Sequence, residues 1–280
     1  MDIAEKAQSS DSVTKEDASS QRYGRVVVKA GTSVLTAGGD GLHLPTMSEL
    51  VEQIAWLHNG GAEVLLVTSG AIAAGRRPLG IKEEPDIRFR QVMAAVGQNR
   101  LMHTYSWMFE QKGISIAQVL LTRHDLSDAQ HSSNVSRTLS SLLELGVVPI
   151  INENDAVTVE EIGEVFGDND VLSAMVANLM KVDLLVLLTD TDGLMTADPR
   201  TDPSARRIPR VERVDDQVES LAGEHLNPRS RGGMRTKVES ARLATMAGVT
   251  VIMCHGREPN VVPRLEQGED IGTFFAPANR

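Results

Sequence analysis

One cysteine in 280 residues, Cys254, rules out an internal disulfide. Its place in an apolar, strand-like run marks it as a reduced, buried small hydrophobe and not a reactive thiol. Positive charge is scarce too: 28 Lys and Arg stand against 38 Asp and Glu, a formal charge of -10. That balance argues against a general nucleic-acid surface and leaves room for a local basic pocket. No apolar run reaches the length of a membrane span, and residues 1–22 lack the apolar core of a secretory signal, so a cytoplasmic setting is expected. His43, His58, His103, His124, His131, His225 and His255 show no metal-ligand spacing, and no protein-held metal site is expected. A GxxxxGK[ST] loop and a GxGxxG fingerprint in strand-turn-helix context are both missing, which excludes the two commonest routes to a nucleotide.

The length suffices for one large α/β core. Residues 1–22, rich in Ser, Asp, Glu, Lys and Gln, read as a flexible N-terminal extension, with ordered structure expected over 23–280. Val26-Val27-Val28 is an apolar strand signal. Met47, Leu50, Val51, Ile54 and Leu57 then recur on one helical face, and Thr46 and Glu49 have the spacing of a capping box at its start. The alternation continues through strand-like residues 64–67 and 114–117, a helical face of Val135, Leu139, Leu142 and Leu143, and the run 147–151. A helix through Val171, Leu172, Met175, Val176 and Leu179 precedes the run 184–188. Short apolar strands alternating with amphipathic helices predict an α/β sheet covered on both faces. Polar alternation over 157–166, around Gly163, predicts a small hairpin beside the pocket. Trp56 and Trp107 are assigned to helix packing, Met246 and Met253 to the core.

Three segments carry the chemistry. Lys29-Ala30-Gly31-Thr32 and Ser69-Gly70-Ala71 each follow a strand, and Gly232-Gly233-Met234-Arg235-Thr236-Lys237 adds a second lysine. Glycines let the backbone approach an anion, helix N-termini offer oriented N–H groups, and lysines supply charge. Together they point to a nucleotide-dependent kinase.

The combined motifs VVVKAGTSVLT from Val26, VTSGAIAAGR from Val67, INENDAV from Ile151, GDND from Gly167, LLTDTDGLMTADPR from Leu187 and GGMRTK from Gly232 closely resemble the amino acid kinase family, in its glutamate-phosphorylating branch. The resemblance runs from about Tyr23 to Phe275. It implies a three-layer αβα sandwich with an open, mainly parallel sheet. It also implies ATP- and Mg2+-dependent phosphorylation of the L-glutamate side chain to L-glutamyl 5-phosphate, the first step of proline synthesis. Residues of about 23–183 would form the glutamate-binding part and about 184–280 the nucleotide-binding part, without the C-terminal PUA domain of many bacterial relatives. Homodimers or homotetramers, feedback inhibition by proline and functional coupling to glutamyl phosphate reductase are further implications, with no nucleic-acid or membrane partner. Other family reactions, on acetylglutamate, carbamate or uridylate, and an inactive, amino-acid-responsive assembly protein are the competing readings.

Lys29 and Lys237 form the expected cationic clamp on the phosphates. Asp170 either orients both lysines or caps the helix that follows it. Asp168 either organises metal or substrate or closes the acidic turn. Ser69, Gly70, Asn152, Asp155 and Asn169 are the expected glutamate contacts, with Asp155 on the α-ammonium. Gly31, Thr32, Thr189, Asp190, Arg231, Gly232, Gly233, Met234, Arg235 and Thr236 join the lysines on ATP, and Mg2+ is carried by the nucleotide phosphates. Ser230-Arg231 stand where relatives have Gly-Thr, so loop flexibility and nucleotide contacts are expected to differ, and Met195 stands where they have Tyr, so adenine-side packing is expected to differ.

Overall fold

The computed structural model describes residues 22–80, 86–157, 169–223 and 233–278. Its strands are β1 (Arg25–Ala30), β2 (Glu63–Thr68), β3 (Ile116–Leu121), β4 (Val148–Glu153), β5 (Leu184–Thr189), β6 (Arg210–Val211), β7 (Thr250–His255) and β8 (Thr273–Phe275). They form one sheet in the order β3-β4-β2-β1-β5-β7-β8-β6. Every neighbouring pair is parallel except β7 with β8. The helices are α1 (Thr32–Leu35), α2 (Leu44–Asn59), α3 (Ala71–Arg76), α4 (Ile87–Glu110), α5 (Arg123–Ser127), α6 (Ala129–Glu144), α7 (Asn169–Met180), α8 (Asp216–Leu221), α9 (Met234–Met246) and α10 (Val261–Glu266).

Strand β1 is apolar on both faces because it sits between β2 and β5 with helices above and below. Val26, Val28 and Ala30 join Leu50 and Ile54 of α2, Leu101 of α4 and Val261 of α10. Val27 points the other way, among Leu139 of α6, Ala174 of α7, and Val238 and Ala241 of α9. Each fully buried valine or leucine contributes about 1.5–3 kcal/mol. The same two-residue alternation puts Lys29 on the Val27 face, where α7 and α9 lie.

Several local expectations change. Helix α2 begins at Leu44, two residues before Thr46: Pro45, fixed at a helical φ, suits its first turn, and His43 caps it by accepting from Thr46 N at 3.3 Å. The proposed Thr46–Glu49 box is therefore not the cap. A true capping box forms at Thr122 and Asp125, which start α5. Met253 is fully buried, whereas Met246 is 68% exposed and Trp56 and Trp107 lie 43% and 58% exposed on their helices. Met246 ends α9 just past the face that buries Ala244 and Thr245. Strand β3 begins at Ile116, two residues later than its apolar run. The predicted hairpin of 157–166 lies, apart from Val157, outside the described residues.

Cys254 is buried and free in β7, its thiol pushed up to about 12 by burial and by the nearby Glu258 charge. That agrees with an unreactive core residue. Helices α3 and α4 cross closely enough to require glycine: a Cβ at Gly97 would lie 1.7 Å from Ala71 O, and one at Gly75 2.0 Å from Met93 O. The crossing brings the middle of α4 against the first turn of α3, directly after Ser69-Gly70.

Candidate active site

Parallel strands β1, β2 and β5 end at the same edge of the sheet, and the functional segments follow those ends. Lys29 is the penultimate residue of β1, in register with Val67 and Leu187. These apolar neighbours leave its chain 4% exposed and direct the ammonium along the sheet toward α7. There Lys29 Nζ contacts Asp170 Oδ1, while Lys237 Nζ donates to Asp170 Oδ2 at 3.0 Å. Thr236 Oγ1 donates to that same Oδ2 at 3.1 Å. Asp170 is completely buried in the first turn of α7. Burial alone would raise its carboxyl pKa, but the Lys237 and Lys29 ammonium groups outweigh burial and hold it well below the usual carboxylate range. Two cations and one anion leave the triad with one net positive charge.

Glycine matters at two of these turns. A Cβ at Gly31 would lie 3.1 Å from Lys29 Nζ, so a side chain there would crowd the ammonium. Gly70 has φ +97°, a conformation that disfavours other residues. Gly31, Gly70 and Gly233 precede α1, α3 and α9, and none of these helix starts has a side-chain cap. By contrast His43, Asp86, Thr122, Asp128 and Asp215 cap α2, α4, α5, α6 and α8. Of the remaining helices, α10 also starts without a side-chain cap. Uncapped first-turn N–H groups beside two lysines are donors suited to an anionic ligand.

A cavity of about 310 Å³ is lined by Ala71, Gln98, Gln118, Glu153, Asn154 and Asp155 among others, and Glu153 on its wall is bonded to Asn169, the residue before Asp170. Ser69 Oγ accepts from Asn169 Nδ2 at 3.0 Å, and Asn169 Oδ1 accepts from Glu153 N at 3.2 Å. Glu153 N also donates to Asn152 Oδ1 at 2.9 Å. The expected residues Ser69, Asn152 and Asn169 thus form one network around a main-chain N–H, with Asp155 on the adjoining wall. Thr189 and Asp190 sit at the end of β5, joined by Thr189 Oγ1 donating to Asp190 Oδ1 at 3.2 Å. Thr32, Met234 and Arg235 occupy first turns of α1 and α9. Asp168, Arg231 and Gly232 lie outside the described residues. Gln98 and Gln118 went unrecognised in the sequence: each is a lone amide whose relevance arises only when α4 and β3 pack together.

This arrangement supplies cationic charge and N–H donors. Such a set suits phosphoryl transfer, the chemistry of a kinase. A model of the amino acid kinase family matches residues 24–255, and the chain belongs to that family. It is 52% identical over 256 residues to the glutamate 5-kinase of Herpetosiphon aurantiacus, covering 91% of this chain and 69% of that protein. Identity to the glutamate 5-kinase of Dehalococcoides mccartyi is 49% over 258 residues, with 91% and 69% covered. For the Shewanella amazonensis glutamate 5-kinase it is 50% over 260 residues, with 92% and 68% covered. The structure of UMP kinase from Bacillus anthracis matches with a TM-score of 0.61 at 18% identity, over 92% of this chain and 97% of that one, a likeness of fold. The open, mainly parallel sheet between helical layers is the amino acid kinase fold expected from the sequence.

Proposed function

We propose that this chain transfers the γ-phosphoryl group of ATP to the side-chain carboxylate of L-glutamate, giving L-glutamyl 5-phosphate and ADP for proline synthesis. The observation that carries the mechanism is the buried Lys29–Asp170–Lys237 triad, linked through Asn169 to an amide- and carboxylate-lined cavity. A glutamate side chain has a pKa of about 4.3, so near neutral pH it attacks without a base. The barrier lies in bringing two anions together and stabilising the charge that spreads over the transferring group. Lys29 and Lys237 supply that charge, and Asp170 holds both ammonium groups in place. The first turns of α1, α3 and α9 add N–H donors.

Residues of about 184–280, with Thr189, Asp190 and Gly233 to Lys237, hold the nucleotide in this reading, and about 23–183 the amino acid. Both oxygens of Asp170 are engaged by ammonium groups, and no cluster of three or more His, Cys, Asp or Glu side chains forms among the described residues. Mg2+ in this reading is carried by the ATP phosphates, where it neutralises their charge. Homo-oligomeric assembly, feedback binding of proline and delivery of the labile acyl phosphate to a reductase complete the proposal, in a cytoplasmic setting. Among the described residues no helix is long and apolar enough to cross a membrane.

With ATP and Mg2+, the protein should release ADP together with an acyl phosphate that hydroxylamine traps as a hydroxamate, selectively from L-glutamate. Efficient turnover of acetylglutamate, carbamate or UMP, with no product from glutamate, would defeat the assignment. Asp155→Ala should separate recognition from transfer. Loss of the α-ammonium partner is expected to raise glutamate KM roughly 30-fold or more, the equivalent of about 2 kcal/mol, while nucleotide binding by calorimetry survives. Unchanged glutamate affinity and kcat/KM would remove Asp155 from this role.

A further inference from the structure

The amide network beside the cavity has one direction of polarity, and a main-chain group sets it. A backbone N–H can only donate, so Glu153 N turns the side-chain oxygens of Asn152 and Asn169 toward itself. Each Nδ2 is thereby directed away. Asn169 Nδ2 donates to Ser69 Oγ, which leaves the hydroxyl proton of Ser69 to donate in turn. Asn152 is 1% exposed, and its Nδ2 donates to Gln98 Oε1 at 2.9 Å. With its oxygen committed, Gln98 must donate through Nε2, as it does to Gln118 Oε1 at 3.1 Å. Gln118, exposed on β3, has its oxygen turned to Gln98 and its Nε2 hydrogens turned away from that bond, on the cavity wall the two share.

Among the described residues the cavity lining contains no Lys or Arg, and it includes the carboxylates of Glu153 and Asp155. The described donors it offers a carboxylate are amides, and an amide of the wrong polarity would present an acceptor to an anion. We infer that Gln98 is a positioning and specificity residue for the carboxylate at the amino-acid end of the substrate. It acts through Gln118, keeping that amide with its N–H edge toward the cavity. This rests on the glutamate kinase reading and narrows it, selecting α-amino acids whose α-carboxylate is free and charged.

Gln98→Glu tests the idea because it is nearly isosteric and still accepts from Asn152. It offers Gln118 no donor, so the Gln118 amide turns its Nε2 toward residue 98 and its oxygen toward the cavity. Gln98→Met keeps the volume and removes both hydrogen bonds. The measurement is kcat/KM at saturating ATP and Mg2+ for L-glutamate and for isoglutamine, which retains the reactive side chain but carries an α-carboxamide. For Gln98→Glu, glutamate KM should rise at least about tenfold with kcat within about threefold and ATP KM unchanged. The isoglutamine-to-glutamate ratio of kcat/KM should rise at least about tenfold, and by more than in Gln98→Met, whose lost bonds carry no charge preference. A merely structural role would lower both substrates in parallel in Gln98→Met, which adds no charge to the cavity wall, so the ratio must rise there too, if by less. An unchanged ratio, or a loss shared by ATP, overturns the role of Gln98. Wild-type protein that fails to use glutamate overturns the functional reading and this inference together.

Discussion

Lys237→Met is expected to lower kcat by roughly 100-fold or more, the scale of a lost electrostatic donor to a transition state. Methionine keeps most of the side-chain length but cannot place a cation between donor and acceptor. The effect should appear in kcat, because the ammonium meets most charge when the phosphoryl group is in transit. ATP affinity should fall modestly, since the first turn of α9 and the metal still bind the phosphates. Steady-state kinetics at saturating glutamate and Mg2+, with folding checked by circular dichroism, gives the comparison. A folded variant with near-original kcat would show that Lys237 is not a principal transfer residue. A loss confined to ATP affinity would leave Lys29 as the main transition-state cation.

Asp170→Asn should affect stability as well as rate. Asp170 is completely buried between two ammonium groups, and removing its charge leaves two like charges facing each other with no counter-ion. Breaking a buried pair in this way costs about 3–5 kcal/mol, even though forming it is not thereby shown to be favourable. The variant should unfold at markedly lower urea concentration and lose most of its kcat. The pH dependence has a definite sign. The native carboxyl is held below its unfolded value, so its contribution is complete above the ordinary aspartate pKa of about 3.9 and is lost as pH falls through the native one. The stability gap between wild type and Asp170→Asn should therefore be full near neutral pH and narrow only below about pH 4. A gap under about 1 kcal/mol at neutral pH would show that the lysines do not depend on Asp170.

Much of this site was readable from the sequence because its residues sit in strand-end motifs. Lys29 follows three buried valines, so two-residue alternation assigns it a face, and Asp170 lies in the first turn of an apolar helix whose position along the chain is clear. Their meeting with Lys237 was carried by the family pattern and not by local spacing. The central strands were legible for the same reason: residues 26–28, 64–67 and 184–188 are apolar on both faces and cannot face water. Helix α4 was not legible. Its 24 residues mix Arg88, Arg90 and Arg100 with an apolar face that the Gly97 crossing, rather than a regular stripe, buries against α3. With α4 unread, Gln98 could not be placed beside Asn152, 54 residues away. The start of α2 failed for a local reason, since Thr46 and Glu49 satisfy a capping pattern that Pro45 and His43 take over with a start at Leu44.

The central claim is that a glutamate side-chain oxygen attacks the phosphorus directly, and an isotope label follows that atom. L-glutamate carrying 18O in both side-chain carboxylate oxygens would be incubated with the enzyme, ATP, Mg2+ and hydroxylamine. Hydroxylamine attacks the acyl carbon and expels phosphate with the former bridging oxygen. Direct transfer predicts that the inorganic phosphate released in step with hydroxamate carries one 18O, resolved from unlabelled phosphate by its 31P chemical shift. Unlabelled phosphate formed at the rate of ADP release would mean that water and not the carboxylate accepts the phosphoryl group, and would contradict the assignment of this chain as a glutamate kinase.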